Sequence, residues 1–431
     1  MKTISSVRDN GLCTQCGICV AICPCNAIRM VKSDSLGIYL PLINKERCKC
    51  CGLCVRYCPG HLVDFRELNL EFFDRQPLDR SLGNYLKCWI AHSNDCNIRY
   101  NSASGGIVSQ LLIFALDKKI IDGALVVGMK EDNPLEPTPF IARSKKEILS
   151  ASKSKYCPVP ANVALKQILA EDGRFAVVGL PCHIHGIRKA ELLNPELRKK
   201  IVLHICLMCS HMVNFLGTEF IIKKIHVPKE QVSQLSYRGK GWPGAMTIKL
   251  KNKSSFNIPL VGSWNSYWPI FSSFFFTPTR CTMCPDQTGE LADISLGDAW
   301  LPELRSDKIG ESIIITRTKA AESMLSAMAS SRVISLMQVS PEKVKQSQFL
   351  NLKFKKDDLS TRLNMIMFFG RQVPDFIPAQ NSWSFAAFLR ALYIYFNIKM
   401  SSSKQIRPLL SLLPFPFFRL YFGIYKFLCL A

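Results

Sequence analysis

Residues 13–24 read CTQCGICVAICP and residues 48–59 read CKCCGLCVRYCP. Cys13, Cys16, Cys19 and Cys23 therefore recur as Cys48, Cys51, Cys54 and Cys58, with the same spacing and a proline behind each last cysteine. Three thiolates at i, i+3 and i+6 wrap one face of a 4Fe-4S cubane, and in paired motifs the fourth cysteine ligates the other cluster. The spacing assigns Cys13, Cys16, Cys19 and Cys58 to one cluster, and Cys48, Cys51, Cys54 and Cys23 to a second. Zinc sites usually join two distant CxxC hooks instead. A disulfide framework is disfavoured, because MKTISSVRDNGL has no apolar signal-peptide core. Cys25 and Cys50 fall outside the ligand spacing and read as free thiols beside the clusters.

Working outward, residues 1–67 are expected to form a two-cluster ferredoxin module, each half a short hairpin and a helix. Residues 68–100 are mixed in polarity and read as a linker. Helical and strand patterns then alternate. GGIVSQLLIFALDKK has helical spacing, and IDGALVVGMK, RFAVVGLPC and KKIVLHICLMC are β-branched runs typical of buried strands. ANVALKQILAEDG and FLGTEFIIKKI read as helices, MTIKLK, ADISLGDAW and ESIIITRT as later strands. The pattern predicts a mixed α/β domain over 101–338, a sheet covered by helices, and an α+β class for the whole chain. Residues 339–431 read as a helical, basic, apolar extension.

The 431 residues carry a formal net charge of +22. Cluster thiolates offset part of it, and no basic block interleaved with aromatics appears, so nucleic acid is not an expected partner. Between Phe376 and Ala431 stand Arg390, Lys399, Lys404, Arg407, Arg419 and Lys426, and no acidic residue. No uncharged run there is long enough to span a bilayer, and Pro414 and Pro416 interrupt the last one. The segment suits either peripheral contact with an anionic membrane or docking on the protein's own body or a partner subunit.

Cys182, Cys209, Cys281 and Cys284 lie where strands are predicted to end, the place where open sheets present ligands. On spacing alone a third 4Fe-4S cluster, a zinc site and unrelated buried cysteines all stand. Cys206, three residues from Cys209, would point to the opposite face of its strand.

SASGGIVSQLL, KSKYCP, VVGLPC, LMCSH, YRGKGWPG, CTMC and LADISLGDAW occur in that order. Together they resemble the coenzyme F420 hydrogenase/dehydrogenase beta-subunit family, in a form fused to a two-cluster ferredoxin, over about residues 10–335. The resemblance implies a flavoprotein: a bacterial-type two-cluster ferredoxin fold followed by a mixed α/β flavin-binding domain. It implies FAD and a third 4Fe-4S cluster held by Cys182, Cys209, Cys281 and Cys284. His183 stands where family members often carry glutamine.

Within that resemblance, Ser102, Ser104, Gly105 and Gly106 precede a helix whose N-terminus suits a phosphate; read alone they are an N-cap. Ser154, Lys155 and Tyr156 offer hydroxyls and a cation for FAD, or else form a polar loop. Tyr237, Arg238 and Gly239, followed by Lys240, Gly241, Trp242, Pro243 and Gly244, combine aromatic surface with fixed charge; otherwise they make a tight turn. Asp298 would hydrogen-bond flavin or orient a ligand loop, or serve as a turn residue. His183, His185, His204 and His211 read as mostly structural, and no catalytic residue is nominated.

The expected activity is an oxidoreductase coupling hydride exchange at FAD to single-electron transfer, with coenzyme F420 or ferredoxin as redox partner. A ferredoxin-dependent reductase linked to surface polysaccharide synthesis and a relay subunit without turnover are the alternatives. A membrane-surface protein with structural clusters is a third. The expected location is cytoplasmic, with possible peripheral contact at the inner membrane face.

Overall fold

The doubled cysteine motif folds around one hairpin. Strand β1 (Ile28–Ser33) pairs antiparallel with β2 (Ile38–Ile43), and the two motifs flank the pair. The expectation of a hairpin in each half is corrected: no strand follows the second motif until the main domain, and each motif contributes only a short helix, Ile18–Ala21 or Leu53–Arg56. Gly17 and Gly52, each following the second cysteine of its motif, have φ of 85° and 76°. Glycine takes this left-handed turn without strain, so each CxxCxxC run bends sharply into its helix. The structure is a computed structural model that describes residues 3–375 and 384–430; residues 376–383 of the expected extension lie outside them.

The remaining strands are β3 (Lys87–Ser93), β4 (Gly123–Met129), β5 (Pro137–Ala142), β6 (Phe175–Gly179), β7 (Ile201–Leu207), β8 (Val232–Ser236), β9 (Ala245–Leu250), β10 (Ser255–Pro259), β11 (Ile294–Asp298), β12 (Ser312–Thr316) and β13 (Ile334–Val339). Eight of them build one sheet in the order β13-β3-β12-β11-β7-β6-β4-β5. Strands β4, β6, β7 and β11 run parallel, and the other neighbours pair antiparallel. The near-continuous apolar character of β4, β6 and β12 follows from helices covering both faces. One such helix, Ile107–Asp117, buries Ile107, Leu111, Leu112, Phe114 and Ala115. Leu111 is fully buried, and truncating it to alanine would cost about 2–5 kcal/mol.

The linker reading of 68–100 is corrected at its C-terminal end. Lys87–Ser93 is an inner strand, paired with β12 on one side and β13 on the other. Its mixed polarity arises because its polar side chains meet partners within the fold. His92 Nδ1 lies 2.7 Å from Glu311, and Trp89 Nε1 donates to Glu322 at 3.2 Å.

A second, three-stranded antiparallel sheet, β10-β9-β8, carries the 237–244 loop between β8 and β9. The C-terminal extension is helical, with Leu359–Phe368, Phe385–Ser402, Ile406–Leu412 and Phe415–Leu430 as its longer pieces. Arg390 anchors it through a buried pair with Asp358 at 2.7 and 2.8 Å.

Candidate iron-sulfur and flavin sites

Adjacent parallel strands β6 and β7 end at one edge of the sheet, and the turns leaving them carry Cys182 and Cys209. Pro181 opens the helix Pro181–Leu193 directly after β6, which places Cys182 in its first turn. Cys281 and Cys284 come from the 3-10 turn Thr279–Met283 and the residue behind it. All four line a single cavity, which Cys13 of the N-terminal module also lines. Burial pushes the Cys209 thiol up to about 12, and burial followed by the charge of Cys16, Cys209, Cys284 and Cys281 raises Cys182. Thiolates gathered in a dry pocket need compensating cations.

Lys355 and Arg280 line this pocket, and Arg362 lies close to its cysteine turn. Lys355 Nζ is 3.5 Å from the Cys281 carbonyl. Arg362 donates to the Thr282 carbonyl at 3.1 Å, while its two terminal nitrogens are buried without a hydrogen-bond partner. A 4Fe-4S centre with four thiolates carries about two negative charges, so the donor set and these cations fit one.

The N-terminal cysteines fall into two groups. Burial raises Cys13 and Cys16, and the next cause for both is the nearby Cys58; Cys19 is raised by burial and then by Cys16, Cys13 and Cys58. Cys23, Cys48, Cys51 and Cys54 line a second cavity, joined by Cys25 and Cys50. Backbone N–H groups point at sulfur: Gln15 to Cys13 at 3.4 Å, Gly60 to Cys58 at 3.3 Å, and Ala27 to Cys23 at 3.3 Å. Such bonds raise cluster potentials. Cys206 lies outside these cavities, against Gly289, where an added Cβ would stand 2.3 Å from its sulfur.

The module is locked onto the main domain by residues that sequence reading passed over. Arg280 donates to the Leu12 and Pro59 carbonyls at 2.9 and 3.5 Å. Lys189 donates to the Cys58 carbonyl at 2.9 Å and the Leu62 carbonyl at 2.5 Å. The Asn162 N–H donates to the Cys16 carbonyl at 2.9 Å. A Cβ on Gly17 would come within 2.8 Å of Val163. Lone basic residues in polar stretches give no local signal of such roles; the glycines are the one legible clue.

Of the nominated flavin residues, Tyr156 and Asp298, far apart in sequence, meet at Arg238. It is buried, and its guanidinium donates to Tyr156 Oη and to Asp298 Oδ2, both at 3.0 Å, and to the carbonyl of Ala103. Burial alone would disfavour the cation, but Asp298 reverses this and raises its pKa. Tyr237 faces inward, its hydroxyl 2.7 Å from Thr218. Gly239, at φ 123°, lies against Lys153. Ser102 donates to the Ile98 carbonyl at 2.6 Å, and Ser104 to the Glu311 carbonyl at 3.0 Å. Neither serine caps the helix that follows Gly106, which has no side-chain cap. Gly105 packs so tightly that a Cβ would meet the Ala91 carbonyl at 2.4 Å. Two buried donors here lack partners, Arg238 Nε and Trp242 Nε1, which fits a bound group rich in acceptors, such as FAD.

Ser154 is half-buried. Lys155 is corrected as a cofactor contact. Its ammonium donates to the carbonyls of Ala151, Ser152 and Lys153, filling all three donors of a lysine, and burial lowers its pKa to about 7. His183 is structural: Nδ1 accepts from the Leu180 N–H at 3.1 Å and Nε2–H donates to the Val159 carbonyl at 3.0 Å. It holds the turn that carries Cys182.

Family models match three segments: the beta-subunit N-terminal domain of coenzyme F420 hydrogenase/dehydrogenase over residues 88–166, its C-terminal domain over 172–342, and a 4Fe-4S binding domain over 7–29. The coenzyme F420 hydrogenase subunit beta of Methanothermobacter thermautotrophicus is 31% identical over 253 residues, 57% of this chain and 81% of that protein. The chain belongs to the coenzyme F420 hydrogenase/dehydrogenase beta-subunit family. This makes it an iron-sulfur oxidoreductase by descent. One subunit of the F(420)H(2) dehydrogenase from Methanosarcina mazei is 26% identical, over 74% of this chain and 83% of that one. The coenzyme F420-dependent sulfite reductase of Methanocaldococcus jannaschii is 25% identical over 82% of this chain, which spans about half (51%) of that longer protein. A chain of the F420-reducing [NiFe] hydrogenase complex from Methanosarcina barkeri shares the fold, with a TM-score of 0.54 and 24% identity, covering 70% of this chain and 99% of that one.

Proposed function

We propose that this chain couples a two-electron organic partner to a one-electron carrier, through FAD held around Arg238 and three 4Fe-4S clusters in series. The observation that carries it is the shared cavity, which sets Cys13 of the N-terminal module beside Cys182, Cys209, Cys281 and Cys284. FAD supplies the conversion between hydride exchange and single electrons, and the clusters supply their carriage. The chain's own residues orient and tune. Arg238, fixed by Asp298 and Tyr156, keeps a positive charge where reduction would add a negative one. Lys153 beside Gly239 supplies the anion contact that Lys155 does not. Lys355, Arg362, Arg280 and Lys189 place cations around the cluster ligands.

Coenzyme F420, named in several relatives, is the first organic partner to try, with ferredoxin as the carrier. At the far end Cys50 and Cys51 are exposed, among the exposed basic residues Lys45, Arg47, Lys49 and Arg56. That surface suits docking of an acidic carrier, and it equally favours the second reading, a relay subunit within a complex.

The test is anaerobic purification, iron and flavin assays per chain, and flavin absorbance after adding reduced coenzyme F420. About twelve irons, one flavin and rapid bleaching support the full reading. The same cofactors without bleaching move the organic partner elsewhere. About eight irons and no flavin overturn it.

A further inference from the structure

The family models end at residue 342, and the last helices, from Phe385 onward, line neither cavity. Phe415–Leu430 buries Phe418, Tyr425 and Cys429, with Phe418 edge-on to Phe220 and Phe275. Its opposite face is also apolar. Leu420 is 66% exposed, Ile424 51%, Phe427 71% and Leu430 78%, and Leu409 and Leu412 of the preceding helix are 62% and 78% exposed. At 100° per residue, Leu420, Ile424 and Phe427 fall on one stripe. Together these exposed side chains present an apolar surface of the kind that marks an interaction site.

The charges on this helix sit to one side of the stripe. Arg419 and Lys426 are seven residues apart and share a flank; the Arg419 guanidinium lies 4.5 Å from the ring of exposed Trp264. No acidic residue occurs from Phe376 to Ala431. Among the described residues no single helix is long and apolar enough to cross a membrane, and Ile406–Leu412 meets Phe415–Leu430 at a 108° bend.

We propose that this face seats the protein on the surface of a bilayer containing anionic lipids. Phe415–Leu430 lies in the interfacial plane, its apolar stripe at the acyl boundary and Arg419, Lys426 and Trp264 at headgroup level. A second copy is the wrong occupant, because pairing two such faces would set basic flanks against each other. An anionic bilayer offers both the apolar phase and the opposite charge.

The test is flotation of the full-length holoprotein, kept anaerobic, with vesicles of phosphatidylcholine alone or with about 30% phosphatidylglycerol. The expected result is binding to the anionic vesicles that weakens between about 0.1 and 0.5 M salt. L420E/F427E should abolish binding, and R419Q/K426Q should weaken it about fivefold per residue. Both variants should keep wild-type iron content and unfolding temperature, since these side chains point outward. Failure of the wild type to float overturns the proposal, and light scattering then shows whether L420E/F427E splits a dimer that uses the face instead. Unchanged flotation of L420E/F427E overturns it as well.

Discussion

Replacing Arg238 by methionine removes the hub of the candidate flavin site while keeping much of its volume. It deletes a charge-assisted bond to Asp298, contributing about 1.5–3 kcal/mol, and bonds to Tyr156 and Ala103 contributing about 0.5–1.5 kcal/mol each. It also strands Asp298, whose side chain is 16% exposed. Breaking a buried pair in this way costs about 3–5 kcal/mol, which should lower the unfolding midpoint by about 10 °C for a domain of this size. R238M/D298N removes the stranded carboxylate and should recover about half of the loss. Flavin content should be lost in both variants, because neither restores a cation. The assay is anaerobic thermal unfolding followed by circular dichroism, with flavin per chain read after denaturation. A cost below about 1 kcal/mol refutes the energetics, and flavin that returns in the double variant in step with stability refutes a cofactor role for Arg238.

C209A should reduce iron from about twelve to about eight per chain while leaving the N-terminal clusters' spectroscopic signals in place; loss of all iron would refute independent sites. K355M removes a cation from the wall of the inner cavity and should lower the potential of that centre by on the order of 100 mV, taking a charge roughly 7 Å away at an effective dielectric of about 20. Redox titration followed by electron paramagnetic resonance checks this, and an unchanged potential refutes it. His204 is buried between Glu191 at 2.6 Å and Asp293 at 2.9 Å. Burial and Arg188 push its pKa down, but the two carboxylates outweigh them and raise it, while Arg188 and His204 outweigh burial to hold Asp293 well below the usual carboxylate range. The histidine's contribution is therefore full below its ordinary value of about 6.5 and lost as pH rises through the higher folded value. The Asp293 contribution is lost as pH falls through its depressed value. Urea midpoints across pH should show that H204Q flattens the alkaline limb; an unchanged alkaline limb refutes the assignment.

The twelve cysteines of the proposed clusters were legible for two different reasons. The first eight are spaced by a local rule. Cys182, Cys209, Cys281 and Cys284 needed the resemblance, because the parallel pairing of β6 and β7 brings the turns of Cys182 and Cys209 together and a distant 3-10 turn delivers Cys281 and Cys284 to the same cavity. Strand β3 was hidden by Trp89 and His92, whose polar atoms find Glu322 and Glu311 across the fold. The meeting of Tyr156 and Asp298 at Arg238 is non-local in the same way: all three were nominated, but not their contact. Lys155 failed because a lysine's reach allows it to satisfy its own turn. The charge of +22 misled in part because Arg238, Arg280, Arg317, Lys355, Arg362 and Arg390 are buried and add nothing to the basic character of the outside.

The inner cavity is walled on one side by Cys13, Thr14, Gln15 and Pro59, and on the other by the main domain, with Arg280 bonded across the seam. A cavity shared across a seam in this way favours an order of assembly. On the proposed assignment, iron and sulfide would reach Cys182, Cys209, Cys281 and Cys284 most readily before the N-terminal module docks, although that module is synthesised before the main domain. Maturation would then run from the inner centre outward, against the direction of synthesis, and a chain whose first sixty residues close early would be trapped one cluster short.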